Sequence, residues 1–205
     1  MRAVMLSRRG AGLAVGIALW AAGVAAGFGA LQRYSAQPGP TRAPVAPAEF
    51  FAAQRQPGRA LLVMAVHPGC PCTSASLAEL GDLLARSHGA CDAVLLNYRP
   101  EQEPPGWPLA SPPRELGGVP VRALEDRGGK LATRLGASTS GHVVFADAQG
   151  TLRYAGGLTI SRGHRGRAPG QDAILEILAG GSPALNAAPV YGCALESPCG
   201  AENCP

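Results

Sequence analysis

Short unbroken apolar runs punctuate the middle of this chain, with helical stripes between them. Leu61-Leu62-Val63-Met64-Ala65-Val66 is long enough for one buried strand, which the pattern predicts over 59–67. Leu77, Leu80, Leu83 and Leu84 recur at helical spacing and predict a helix over 73–87. Ala93 to Tyr98 predicts a second buried strand and Val119 to Leu124 a third. Between these two, Pro100, Pro104, Pro105, Pro108, Pro112 and Pro113 keep 100–118 an irregular loop. Gly129 to Gly136 reads as a short helix stopped by its last glycine. Val143 to Ala146, the turn Asp147-Ala148-Gln149-Gly150 and Thr151 to Ala155 form a hairpin pattern. Gly170 to Ala179 closes the domain as an amphipathic helix, and Ala48 to Gln56 leads into it as a short one.

This order fixes directions. Strands joined through helices run parallel, whereas the pair joined by a turn runs antiparallel. The expected fold class is therefore α/β, with a mixed central β-sheet and helices on both of its faces.

The N-terminus has a different pattern. Arg2, Arg8 and Arg9 precede Ala11 to Leu31, which carries no charge at all. A helix over that stretch spans roughly 32 Å, about the hydrocarbon thickness of a bilayer. The arginines favour the cytoplasmic side, so the rest of the chain is sent across. A cleaved signal peptide is the alternative, with Phe28-Gly29-Ala30 as a weak site and Ser7-Arg8-Arg9 as a hint of a twin-arginine signal. Gln37 to Pro47 is rich in Pro and Ala and reads as an extended spacer. The resulting organisation is 1–10 cytoplasmic, 11–31 anchor, 32–47 linker, 48–182 folded domain and 183–205 a cysteine-containing tail.

The net charge of +4 adds little, being spread over the leader and scattered loop arginines. No basic block with interleaved aromatics appears, which speaks against nucleic-acid binding. No Gly-rich dinucleotide or phosphate loop appears either, so no organic cofactor is expected. Export does change how the 6 cysteines are read, since disulfides and redox partners persist outside the cytosol.

The chemistry concentrates in His67-Pro68-Gly69-Cys70-Pro71-Cys72-Thr73, where the first strand hands over to a helix N-terminus. Backbone N–H groups and the helix dipole favour a thiolate there, so Cys70 is expected on an exposed turn with a lowered pKa. Pro71 suits a first helical turn. A disulfide between Cys70 and Cys72 closes a small ring that geometry tolerates poorly. Either the pair is a labile redox couple or Cys70 pairs elsewhere.

The strand, cysteine motif and helix, followed by a late hairpin and a C-terminal helix, resemble the thioredoxin fold. With the N-terminal anchor, the chain is similar to membrane-tethered periplasmic thioredoxin-like proteins of the TlpA and ResA kind. HPGCPCT, TSGHVVFADAQGTLRYAGGLTISRGHRG and PVYGC resemble RedB-like proteins more closely, over Arg59 to Cys193. The resemblance implies a single-pass inner-membrane protein with its domain in the periplasm or outside the cell. It also implies thiol-disulfide oxidoreductase activity on exported thiol proteins. Two departures stand out. One residue rather than two separates Cys70 and Cys72, and Ser138-Thr139-Ser140-Gly141-His142 replaces a loop in which the family has a cis-proline.

On this reading Cys70 is the nucleophile and Cys72 the resolving thiol. His67 assists if protonated, and His142 lies on the loop that the resemblance sets opposite the motif. Cys193 is a possible third redox thiol, whereas a staple among Cys193, Cys199 and Cys204 is the structural alternative. Cys91 reads as a small core residue. The rival classes are a copper or zinc carrier, with His67, Cys70, Cys72 and His142 as ligands, and a non-catalytic anchored interaction domain.

Overall fold

The computed structural model describes residues 8–43, 47–107 and 111–196, in two units that meet between Ala36 and Gln37. The first unit is one helix, α1 (Arg8–Ala36). Its stretch Gly10–Ala36 has 27 residues and a mean hydropathy of 1.9, enough to cross a membrane or to act as a signal sequence. Leu13, Trp20 and Phe28 are exposed on it.

In the second unit, a short helix α2 (Pro47–Gln54) precedes β1 (Ala60–Val66). Then come α3 (Thr73–Arg86), β2 (Cys91–Arg99), β3 (Glu115–Leu116), β4 (Val119–Arg127) and α4 (Lys130–Arg134). The hairpin β5 (Val143–Ala146) and β6 (Leu152–Gly156) leads to α5 (Pro169–Leu178) and β7 (Ala187–Ala188). The sheet order is β3-β4-β2-β1-β5-β6-β7. β1 runs parallel to β2 and antiparallel to β5, β2 runs parallel to β4, and β5 and β6 are antiparallel. The mixed sheet with flanking helices is the expected architecture.

β1 is buried along its whole length because both faces of the sheet are covered, which explains an unbroken apolar run rather than an alternating one. Successive side chains still separate. Leu62, Met64 and Val66 pack with Leu80, Leu83 and Leu84 of α3 and Ile174 of α5. Leu61, Val63 and Ala65 join Phe50, Phe51 and Leu135 on the other face.

Three segments depart from expectation. Glu115–Leu116 pairs with Val119 and Pro120 through Gly117-Gly118, both at positive φ, so the proline-rich loop ends in a tight hairpin. The spacer does not stand free. Gly39 N donates to Val190 O (2.8 Å), Arg42 N to Gly136 O (3.0 Å), and Thr139 Oγ1 to Pro40 O (2.7 Å). Proline keeps this stretch extended and therefore able to lie along the domain as an edge segment. Finally, Ala187–Ala188 joins β6 in parallel, where no regular structure was expected. The approach requires Gly156, since a Cβ there would come within 2.5 Å of Ala188 N.

The Asp126 carboxylate, 3% exposed, accepts hydrogen bonds from Leu131 N (2.8 Å) and Ala132 N (2.9 Å) at the start of α4. Asp126→Ala strands both donors and should cost about 1–3 kcal/mol in equilibrium unfolding. Asp126→Asn, which keeps one acceptor oxygen, should cost less.

Candidate functional site

The turn between β1 and α3 is held by its own backbone and by the loop before β5. Cys70 N donates to His67 O (3.1 Å), and Thr73 N donates to Cys70 O (3.1 Å). Thr73 Oγ1 also donates to His67 O (3.1 Å) and shares a hydrogen bond with Ser140 Oγ at 2.9 Å. Ser140 Oγ accepts in turn from His67 N (3.0 Å), and Gly141 N donates to Ala65 O (2.8 Å). Gly141 adopts φ 88°, and a Cβ there would meet Ser76 Oγ at 2.6 Å. The proline-free loop therefore reaches the motif through a serine hydroxyl and a glycine backbone.

Cys70 is 5% exposed and Cys72 is 7% exposed, so the expected exposed sulfur at position 70 is buried. Cys193 supplies the cover. Its N–H donates to Cys70 Sγ at 3.3 Å, and its segment pairs with the Ser138–Ser140 loop. Nothing in the local sequence around Cys70 announces this, because the covering residue lies far along the chain.

The thiols of Cys193 and Cys72 both donate to Cys70, and their backbone N–H groups add to this. Together they hold Cys70 far below the ordinary thiol range although burial opposes it. Cys72 and Cys193 are pushed up instead. Donation to Cys70 is the largest cause for each, followed by burial and the adjacent negative sulfur, while Arg162 offsets part of the effect. The arrangement favours the thiolate at Cys70 over one at Cys72 or Cys193. The lowering was expected from the helix N-terminus; the neighbouring thiols are its largest source here.

The structure brings Cys70, Cys72 and Cys193 together. His67 is fully buried, and its ring stacks on Tyr98 at 5.6 Å and meets Trp107 edge-on at 5.1 Å. Its Nδ1 accepts from Gly69 N (3.0 Å), so that nitrogen carries no proton. His142 is 3% exposed, with neither ring nitrogen hydrogen-bonded among the described residues. Burial lowers its pKa to about 4. Cys91, fully buried at the start of β2, has its thiol pushed up to about 12 by burial. Among the described residues, no group of three or more His, Cys, Asp or Glu is placed to hold a metal ion. Cys199 and Cys204 lie outside the described residues. Ser140 and Arg162 are contributors that sequence reasoning missed, since single serines and loop arginines carry no spacing signal.

No protein-family model matches this chain, and no curated protein matches it. Solved structures do. A conserved protein from Geobacillus kaustophilus is 18% identical, with a TM-score of 0.55 over 80% of this chain and 92% of its own. A protein from Sinorhizobium meliloti is 21% identical, with a TM-score of 0.54 over 79% and 92%. The likeness is one of fold, a mixed sheet flanked by helices. A secreted Mycobacterium tuberculosis disulfide oxidoreductase, 20% identical, overlaps more loosely, with a TM-score of 0.37 over 60% and 83%. The cysteine motif sits between β1 and α3, and the loop before β5 lies beside it.

Proposed function

We propose that this chain is an exported, membrane-attached thiol-disulfide oxidoreductase with Cys70 as its nucleophile. The observation that carries the reading is the gathering of Cys193 against Cys70 at the β1–α3 turn, with Cys72 beside them, where neighbouring donors push the Cys70 thiol pKa down. A thiolate is the attacking species in disulfide exchange. Cys70 attacks one sulfur of a partner disulfide, and the other partner sulfur leaves as thiolate. A second thiol of this chain, Cys72 or Cys193, then attacks Cys70 and frees the partner. The partner class is an exported thiol or disulfide protein. The long apolar helix near the N-terminus, with arginines ahead of it, supports attachment with the domain on the far side of the membrane.

The test is reduction of insulin disulfides by the detergent-solubilised full chain under dithiothreitol. Cys70→Ser should lower the rate by about 100-fold or more, since it removes the nucleophile. A wild-type rate equal to that of dithiothreitol alone would overturn the reading.

A further inference from the structure

The segment Gly192–Leu195 meets the thiols in extended form, through a single antiparallel bridge to the loop before β5. Ser140 N donates to Cys193 O (2.9 Å), Leu195 N donates to Ser138 O (2.9 Å), and Thr139 and Ala194 form an antiparallel bridge. Leu195, 2% exposed, packs into the apolar cluster behind this loop. The Arg162 guanidinium donates to Gly192 O at 2.7 Å. Gly192 lies so close to the loop that a Cβ there would fall 2.0 Å from Ser140 O. These fixtures place Cys193 against Cys70.

A backbone edge that accepts a strand beside a reactive sulfur fits an extended peptide carrying a cysteine. Here the chain fills that place itself. The two candidate resolving thiols also differ in geometry. A Cys70–Cys72 link spans one intervening residue and closes a small ring, against the torsion a disulfide prefers. Cys193 arrives from a separate segment that can adjust.

Resting on the thiol-exchange reading above, we propose that Gly192–Leu195 is a removable strand occupying the edge at Ser138–Ser140 where a partner's extended, cysteine-bearing segment docks, and that Cys193 returns with it to close a disulfide on Cys70. The strand predicts the partner's chemistry: a cysteine, a small residue, then an apolar residue. In the forward cycle the partner segment displaces the strand. Cys70 attacks the nearer partner sulfur, the partner's S–S bond breaks, and its far sulfur leaves and takes a proton from solvent. The strand then re-docks, and Cys193 loses its proton to solvent and attacks Cys70. The Cys70–Cys193 bond forms as the mixed disulfide breaks, and the partner departs as a second thiolate. Two electrons pass from the Cys70/Cys193 pair to the partner disulfide.

The reduced full chain, oxidised with diamide, alkylated and digested, should yield a Cys70–Cys193 linked peptide in the wild type and in Cys72→Ala. A Cys70–Cys72 link with Cys193 alkylated overturns the proposal. The cover is tested by opening it with Leu195→Asp and, should that variant fail to fold, with the milder Arg162→Ala. At about pH 9, where ordinary thiols ionise too, iodoacetamide should label Cys70 about tenfold faster in an opened variant, the scale of one lost anchoring interaction. An unchanged Cys70 rate in a folded variant overturns the removable strand. If the Cys70–Cys193 link forms and the variants open, yet no protein reduces insulin, the oxidoreductase reading fails and the strand's cover of Cys70 stands.

Discussion

Cys70 is expected to react with iodoacetamide at a rate that stays nearly level from about pH 8 down to about pH 5, read residue by residue after digestion of the reduced protein. An ordinary thiol, with pKa about 8.5, would slow roughly thousandfold over that interval as its thiolate disappears. Cys70 should not follow this course, because donors from Cys72 and Cys193 favour the thiolate on its sulfur. Those two thiols should show the opposite behaviour, slow throughout and sped only above the usual thiol range. Cys193→Ala removes the largest stabilising donor and should restore a falling profile for Cys70 on the acid side. A thousandfold decline in the wild type would remove the chemical basis of the site.

The second large effect concerns folding. His142 is buried, and its pKa falls to about 4 from an ordinary 6.5. The unfolded chain therefore takes up this proton more readily than the folded one. Stability from this group is complete above about pH 6.5, is lost as pH falls toward 4, and declines no further once the folded ring also protonates. The difference amounts to roughly 3 kcal/mol. Equilibrium unfolding of the solubilised protein at about pH 7 and about pH 4 should show that extra loss in the wild type. His142→Leu should lack it, while the carboxylates common to both cancel in the comparison. Equal losses in the two proteins would mean the ring is already protonated or solvated when folded.

How much of this was legible depended on range. β1, α3 and the β5–β6 hairpin were readable because each is specified by its own residues: a continuous apolar run, leucines at helical spacing, a four-residue turn. The place of the cysteine-bearing turn was readable for the same reason, since Cys70 and Cys72 lie between a strand and a helix that announce themselves. Its burial was not. Cys193 lies in a Pro- and Gly-rich stretch without periodicity, and its contact with Cys70 closes over a sequence separation of 123. The spacer failed differently. Pro and Ala content predicts an extended backbone correctly, but says nothing about whether that backbone has a neighbour, and Gly39 and Arg42 find Val190 and Gly136. The histidines sit between these cases. His67 belongs to the motif itself and His142 was set on the facing loop only by the resemblance, whereas the stacking of His67 on Tyr98 and the enclosure of His142 depend on the finished core.

The outermost strands of the sheet, β3 and β7, are each only 2 residues long. Long bare margins would invite neighbouring copies to zip together through their amide groups. β3 covers only Val119 and Pro120, so the outer margin of β4 continues over 121–127, where exposed Arg122, Glu125 and Arg127 oppose such pairing. A visiting backbone would have to strip water from those charges before it could grip the margin.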